Sequence, residues 1–355
     1  MIGYYAHYHG YGHSNYANEL MKELQEDMTI FSPSSFDFTY KEQVVPIEDE
    51  ELTGTEYDME YYETPEYLHC APMNLSKITS RSATILNTIL EKKIKLLLVD
   101  VNVEIATLAR VASVPFAYRR MFGKRNDAPH LNAYREACFL MAYYPESLES
   151  EDTPDWVRRK TYYTGFISKA KTTGNYLDPV GVPFILVIQG KGGSKMDASF
   201  YKKLADRFTN TKIIVLGSVP EHQQHKNITY PGFVSNIIPY IDHADYIISS
   251  CGSNTTSELL SRKRKFLMVP EERPFEEQNE ICKLMEKNKL GVRFDSNNIT
   301  KSMSQLDALP DYIPEEYLPG SFVEFARFLK SNQYDADLIN KALTQKNLSE
   351  ILISL

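Results

Sequence analysis

Short apolar runs alternate with helix-spaced amphipathic stretches, twice over, along this 355-residue chain. That alternation constrains the fold more than any other feature. Strand–helix–strand units build parallel sheets with right-handed crossovers. The first series opens with a strand from Ile2 to Tyr8. Ser14 then caps a helix whose inner stripe is Ala17, Leu20, Met21 and Leu24. Thr29 to Pro33 reads as the second strand and Asn74 to Lys92 as a helix. Leu96-Leu97-Leu98-Val99-Asp100 reads as a buried parallel strand ending in a carboxylate. Val103 to Ala112 is helical, Pro115 to Tyr118 a strand, and His130 to Met141 a helix. The second series begins at Phe184 to Ile188. It continues through strands at Lys212 to Leu216, Tyr246 to Ser249 and Phe266 to Val269, and a helix from Phe275 to Asn288. Residues 36 to 72 read as a long irregular excursion, acidic and rich in tyrosine. Residues 335 to 355 read as a helix crossing back or an appendage.

The expected fold is therefore α/β, with two doubly wound Rossmann-like domains facing across a cleft. Residues 1–165 would form the first domain, 166–182 a linker with Gly174, Pro179 and Gly181, 183–330 the second domain, and 331–355 a helical tail. Ligands of such sheets sit beyond the carboxyl ends of the strands, so the cleft is the expected site. The formal charge of −8 lacks the basic footprint of a general nucleic-acid binder. The four cysteines are far apart with no CxxC pair, which suits a reducing cytoplasm and neither a zinc ribbon nor a disulfide framework. The N-terminus has no signal-peptide pattern. No apolar run approaches the roughly 20 residues that span a bilayer. The expected location is cytoplasmic, with peripheral contact at the inner face of the membrane left open.

Three loops carry the chemistry. The first strand runs into His9-Gly10-Tyr11-Gly12-His13, which places backbone N–H groups and an imidazole at one sheet edge. Gln189-Gly190-Lys191-Gly192-Gly193-Ser194 follows the first strand of the second series. Cys251-Gly252-Ser253-Asn254-Thr255-Thr256 follows a later strand and opens a helix, whose N-terminus carries about half a positive charge and favours a diphosphate. Glu258 lies one turn further on, within reach of a ribose diol, and Glu277-Gln278 starts the helix after the next strand, where polar groups can bind sugar hydroxyls. Glycine turns and acidic first turns also occur with no ligand, so it is their order and combination that argue for a site.

In those motifs the chain resembles the two-domain (GT-B) glycosyltransferases. It is similar to the family 28 and UDP-glycosyltransferase groups, including the N-acetylglucosaminyltransferases of peptidoglycan-precursor synthesis. The resemblance spans most of residues 1–330. It implies a UDP-sugar donor held by Gly12, Gly190, Gly192, Gly193, Gly252, Ser253, Asn254, Thr255, Glu258, Glu277 and Gln278, with Phe233 and Val234 at the uracil. It implies inversion by single displacement, with no cofactor or metal. Two departures stand out: Ser250 occupies a position where the UDP-glycosyltransferases carry histidine, and Arg119-Arg120 replaces a His-Glu pair of the peptidoglycan enzymes. An acceptor hydroxyl needs a base, which is His13, with Asp100 to orient it. Asp100 alternatively caps the following helix.

Two other readings stand beside this one. His7 and His9 face one side of a strand and could hold zinc in a hydrolase, although His69, His130 and His243 stand alone and His222 and His225 lie in a polar loop. The same fold could also release a sugar from its nucleotide to water. The acceptor could be a sugar, a lipid-linked group or a small molecule. Arg119, Arg120, Lys124 and Arg125 either meet an anionic acceptor or answer the acidic stretch from Glu48 to Glu63. Tyr57, Tyr61, Tyr62 and Tyr67 either stack on a ring or pack the loop.

Overall fold

The computed structural model describes residues 1–7, 11–33, 38–49, 63–168, 178–190, 195–218 and 225–354. The first sheet contains β1 (Ile2–Tyr5), β2 (Met28–Ser32), β3 (Val44–Pro46), β4 (Leu96–Val99), β5 (Phe116–Arg120), β6 (Phe139–Ala142) and β7 (Thr161–Tyr163). They lie side by side in the order β3-β2-β1-β4-β5-β6-β7, and every pairing is parallel. The second sheet contains β8 (Phe184–Gln189), β9 (Lys212–Gly217), β10 (Ile228–Gly232), β11 (Tyr246–Ser249), β12 (Phe266–Met268) and β13 (Gly291–Arg293). Its order is β10-β9-β8-β11-β12-β13, again parallel throughout. In each sheet the winding reverses once, between β1 and β4 and between β8 and β11. A crevice opens at that reversal beyond the strands' carboxyl ends.

The helices of the first half are α1 (Tyr11–Leu24), α2 (Ser76–Glu91), α3 (Val103–Val111), α4 (Ala128–Glu136) and α5 (Asp155–Arg159). Those of the second are α6 (Ala198–Arg207), α7 (Ile238–His243), α8 (Ser253–Ser261), α9 (Glu277–Lys287), α10 (Ile299–Asp307), α11 (Val323–Ser331) and α12 (Ala336–Ser354). Strand alternation sorts the side chains onto two faces. Tyr4, Leu96 and Leu98 join Ala17, Leu20 and Met21 of α1 on one face, while Tyr5, Leu97 and Val99 join Ile85, Ile105 and Ala106 of α2 and α3 on the other. In the second sheet Leu186 and Ile188 pack with Leu259 and Ile281, and Ile185 and Val187 with Phe200 and Leu204. Each such apolar side chain contributes about 1.5–3 kcal/mol by leaving water.

Several boundaries differ from the sequence reading. Helix α1 begins at Tyr11, so Ser14 lies inside its first turn and is buried rather than capping. The stretch read as one helix from His130 to Met141 ends at Glu136 and turns into β6. β3 lies within the excursion, and β7 and β10 lie in stretches to which the sequence reading assigned no strand. The last two helices cross back to the first sheet, where Phe322, Phe325, Leu329, Ile339 and Leu343 join its core. The two segments that pass between the sheets are joined to each other. Gly320 N–H donates to Phe166 O at 2.8 Å, and Ser168 N–H donates to Gly320 O at 3.2 Å. Among the described residues, no helix is long and apolar enough to cross a membrane.

Candidate active site

Asp100 follows β4 at the first sheet's reversal and is completely buried. Its Oδ2 accepts from Tyr4 Oη at 3.0 Å and lies 2.8 Å from His13 Nδ1. Arg119 Nη1 donates to both carboxylate oxygens, at 2.8 and 3.1 Å. Burial alone would raise the Asp100 carboxyl. Arg119, and after it His13, outweighs burial and holds the carboxyl well below the usual carboxylate range. Burial, reinforced by Asp100, raises the Tyr4 phenol well above its ordinary value, so this hydroxyl keeps its proton and donates it. Asp100 therefore stays charged and fixes the ring of His13. The helix cap that Asp100 was alternatively read to be is Asn102, whose side chain accepts from Ile105 N–H at 2.6 Å.

Backbone strain presents this carboxylate. Val101 has φ +70°, a left-handed conformation that a β-branched residue rarely adopts. Tyr118 Oη donates to Val101 O at 2.6 Å and holds it there. Such strain costs about 1–3 kcal/mol and persists only where surrounding structure enforces it.

Arg119 and Arg120 belong to β5, and both are buried. Arg119 lies between the rings of Tyr16 and Tyr143, at 4.4 and 4.5 Å from their centroids. Arg120 makes a two-pronged pair with Glu149 at 2.6 and 2.9 Å. These two arginines are thus not a surface cluster for an anionic acceptor, nor do they answer the acidic stretch. Strand burial has turned them inward onto carboxylates. Their role, with that of Tyr4, Tyr16 and Tyr143, was missed in the sequence because charged residues rarely occupy buried strands.

The second domain brings its own loops to the same crevice. Gly252 precedes α8, and no side chain caps that helix end. Burial raises the Tyr16 phenol, whose hydroxyl is hydrogen-bonded to Ser253. Asn254 Nδ2 lies 3.3 Å from where a Cβ on Gly12 would stand. The N-termini of α1 and α8 thus meet across the cleft, an arrangement that favours an anion between them. Thr255 lies in the same first turn. Glu258 lines a small space with Asn15, Glu19, Ile167 and Ser168, and so faces α1. Gly190 follows β8 with open space beside it, whereas Gly192, Gly193 and His9 lie outside the described residues. Tyr57, Tyr61, Tyr62 and His222 do as well. Phe233 is exposed beyond β10, and Val234 packs partly buried against the second core.

Gln278 is buried, and its Oε1 accepts from Glu271 N–H at 2.9 Å. Glu271 in turn accepts from Lys195 N–H at 3.0 Å, which ties the end of the glycine loop to the loop before α9. Glu277 opens α9, and Arg125 Nη2 approaches it to 3.5 Å. Burial raises the Glu277 carboxyl above its usual range, against the pull of Arg125 and Arg119.

His69 and His130, read as isolated, converge on Asp127. His69 Nε2 lies 2.8 Å and His130 Nδ1 2.6 Å from its two carboxylate oxygens. Arg125 Nη1 lies 3.1 Å from His130 Nε2. An arginine can only donate, so Nε2 accepts and Nδ1 carries the proton. That turns the Nδ1 proton of His130 toward Asp127, and the trio forms a hydrogen-bonded chain. Burial, with Arg125 beside it, pushes the His130 imidazole down to about 4, so it is neutral near pH 7. His7, the other half of the zinc reading, has its ring 5.2 Å from that of His13.

No family model matches the sequence. A curated relative, the UDP-N-acetylglucosamine–N-acetylmuramyl-(pentapeptide) pyrophosphoryl-undecaprenol N-acetylglucosamine transferase of Streptococcus thermophilus, is 29% identical over 123 residues. That match covers 31% of this chain and 35% of the relative, about a third of the relative's length. Among solved structures, MurG of Acinetobacter baumannii superimposes with a TM-score of 0.54 at 12% identity, over 97% of this chain and 93% of that one. The spinosyn rhamnosyltransferase SpnG complexed with thymidine diphosphate gives a TM-score of 0.57 at 12% identity, over 98% and 99%. Two parallel sheets with reversed winding, facing each other and matched end to end, give this chain the GT-B fold of the two-domain glycosyltransferases.

Proposed function

We propose that this protein is an inverting glycosyltransferase that moves a sugar from a UDP-sugar to an acceptor hydroxyl. One observation carries the reading: His13 stands on a buried carboxylate, 2.8 Å away, at the point where the N-termini of α1 and α8 meet. Asp100 accepts the Nδ1 proton and so leaves the Nε2 lone pair of His13 to take the acceptor's proton. The departing diphosphate needs its growing charge stabilised, and backbone N–H groups at the N-termini of α1 and α8 would supply donors there. Ser253, Asn254, Thr255, Glu277 and Gln278 would hold the donor, with Gly12, Gly190, Gly192, Gly193, Gly252 and Glu258 beside it and Phe233 and Val234 at the base. The thymidine diphosphate bound by the spinosyn enzyme and the UDP-sugar named for the streptococcal transferase support this donor class. The acceptor is a sugar, lipid-linked or small-molecule hydroxyl.

The test measures UDP release from a panel of UDP-sugars, with and without added acceptors. His13→Ala is expected to lower turnover at least about a hundredfold while UDP affinity stays within about twofold. Unchanged turnover in that variant removes His13 from the mechanism. UDP release that ignores every acceptor makes the enzyme a nucleotide-sugar hydrolase instead.

A further inference from the structure

The loop after β5 leaves the first domain and grips the second beside Glu277. Gly123 has φ +108°, and a Cβ there would stand 2.5 Å from Phe275 O, so only glycine permits the approach. Lys124 N–H donates to that same carbonyl at 2.7 Å, and Lys124 Nζ pairs with Glu276 at 2.9 Å. Arg125 lies over the Phe275 ring, 4.6 Å from its centroid. The rings of His130 and His69 pack against Phe275 at 4.7 and 5.5 Å. Arg125 is itself oriented, since its Nε donates to Phe122 O at 3.1 Å and its Nη1 to His130 Nε2.

The gripped segment is strained. Phe275 and Glu276 both have left-handed backbone, with φ +58° and +54°, although neither is glycine. Two such residues in succession need outside enforcement, and here the contacts at Phe275 come from the opposite domain. The residue they deliver is Glu277, the first of α9.

We propose that Arg125 is a positioning residue for the donor sugar, the point through which the first domain sets where the Glu277 carboxylate stands. The sugar-recognising carboxylate is then assembled only when both domains meet around the donor, whereas the nucleotide's base is read within the second domain. His130 serves as the brace of Arg125, and Asp127 fixes the tautomer that lets it do so. This inference rests on the reading of the cleft as a nucleotide-sugar site, so its test has one arm without ligand.

The variants are Arg125→Met, Arg125→Lys, Glu277→Gln and the double Arg125→Met/Glu277→Gln. In the ligand-free arm, amide hydrogen exchange at Lys124 is expected to speed up at least about tenfold in Arg125→Met. In the ligand arm the probes are UDP and UDP-N-acetylglucosamine. Arg125→Met is expected to raise KM for the sugar nucleotide at least about tenfold while UDP affinity stays within about twofold. Arg125→Lys should recover part of that loss, and the double variant should be no worse than Glu277→Gln alone. Unchanged exchange at Lys124 overturns the clasp even if no nucleotide binds, and failure of the wild type to bind UDP counts against the site reading alone. Equal losses for UDP and the sugar nucleotide, or additive effects in the double variant, overturn the positioning role.

Discussion

Asparagine in place of Asp100 keeps the side chain's size and removes its charge. Arg119, 5% exposed and 2.8 Å from the carboxylate, then holds a positive charge with no counter-ion among the described residues of the first domain. Breaking a buried pair from one side costs about 3–5 kcal/mol. The flanking rings of Tyr16 and Tyr143 soften this, since a desolvated cation over an aromatic face gains about 1–2 kcal/mol. A loss of about 3 kcal/mol is therefore expected, or roughly 6–12 °C in Tm at about 2–4 °C per kcal/mol. Arg119→Met alone should also destabilise, because the buried Asp100 then loses its arginine and keeps only Tyr4 and His13 as partners. The double variant strands neither charge, so it should fall short of the summed losses by about 2 kcal/mol or more. The pH dependence has a definite sign. The folded carboxyl lies below its ordinary value of 3.8, so its contribution is complete above that pH and fades as acid titrates the native state. The wild-type advantage over Asp100→Asn should shrink by about 1.4 kcal/mol per pH unit below pH 4. Urea unfolding of the four proteins at pH 7, and of wild type and Asp100→Asn between pH 4 and 2.5, measures both effects. Additive losses, or a difference that stays flat in acid, would refute the reasoning.

Two further perturbations address the backbone. Val101→Gly relieves the left-handed valine and should stabilise the fold by about 1 kcal/mol in denaturant melts while lowering turnover, because Asp100 is then held less firmly; a clear destabilisation would mean that the conformation is not strained. Gly217 has φ +104°, and a Cβ there would stand 1.8 Å from Gln189 O at the root of the glycine loop, so Gly217→Ala should cost more than about 3 kcal/mol and reduce soluble yield; near-wild-type stability would show that the close approach of β9 to β8 is not required.

What the sequence made legible, and what it did not, follows from how each signal arises. β4 and β8 were plain because each is a continuous apolar run, as strands buried on both faces must be. β7 and β13 span three residues each, too few for a periodic signal. Arg119 and Arg120 hid the end of β5, since two adjacent charges read as solvated loop unless their partners are known. Those partners, Asp100 and Glu149, are brought there only by the parallel stacking of β4, β5 and β6. The His13–Asp100 pairing was legible because a base at a strand end calls for a carboxylate to orient it. The convergence of His69, Asp127 and His130 was not, because nothing in their spacing announces a shared neighbour.

The bridge between Ile167 and Gly320 has a mechanical consequence. A chain that passes between its halves once can swing them freely, like beads on a string. This chain passes twice, and the two strands of the connection are stitched together, with Ser257 Oγ anchoring Ile167 O at 2.7 Å from the second half. Such a double tether is stiffer than a single strand. It resists sliding and twisting of the halves more than a single strand would, which helps keep the tip of α8 in front of His13.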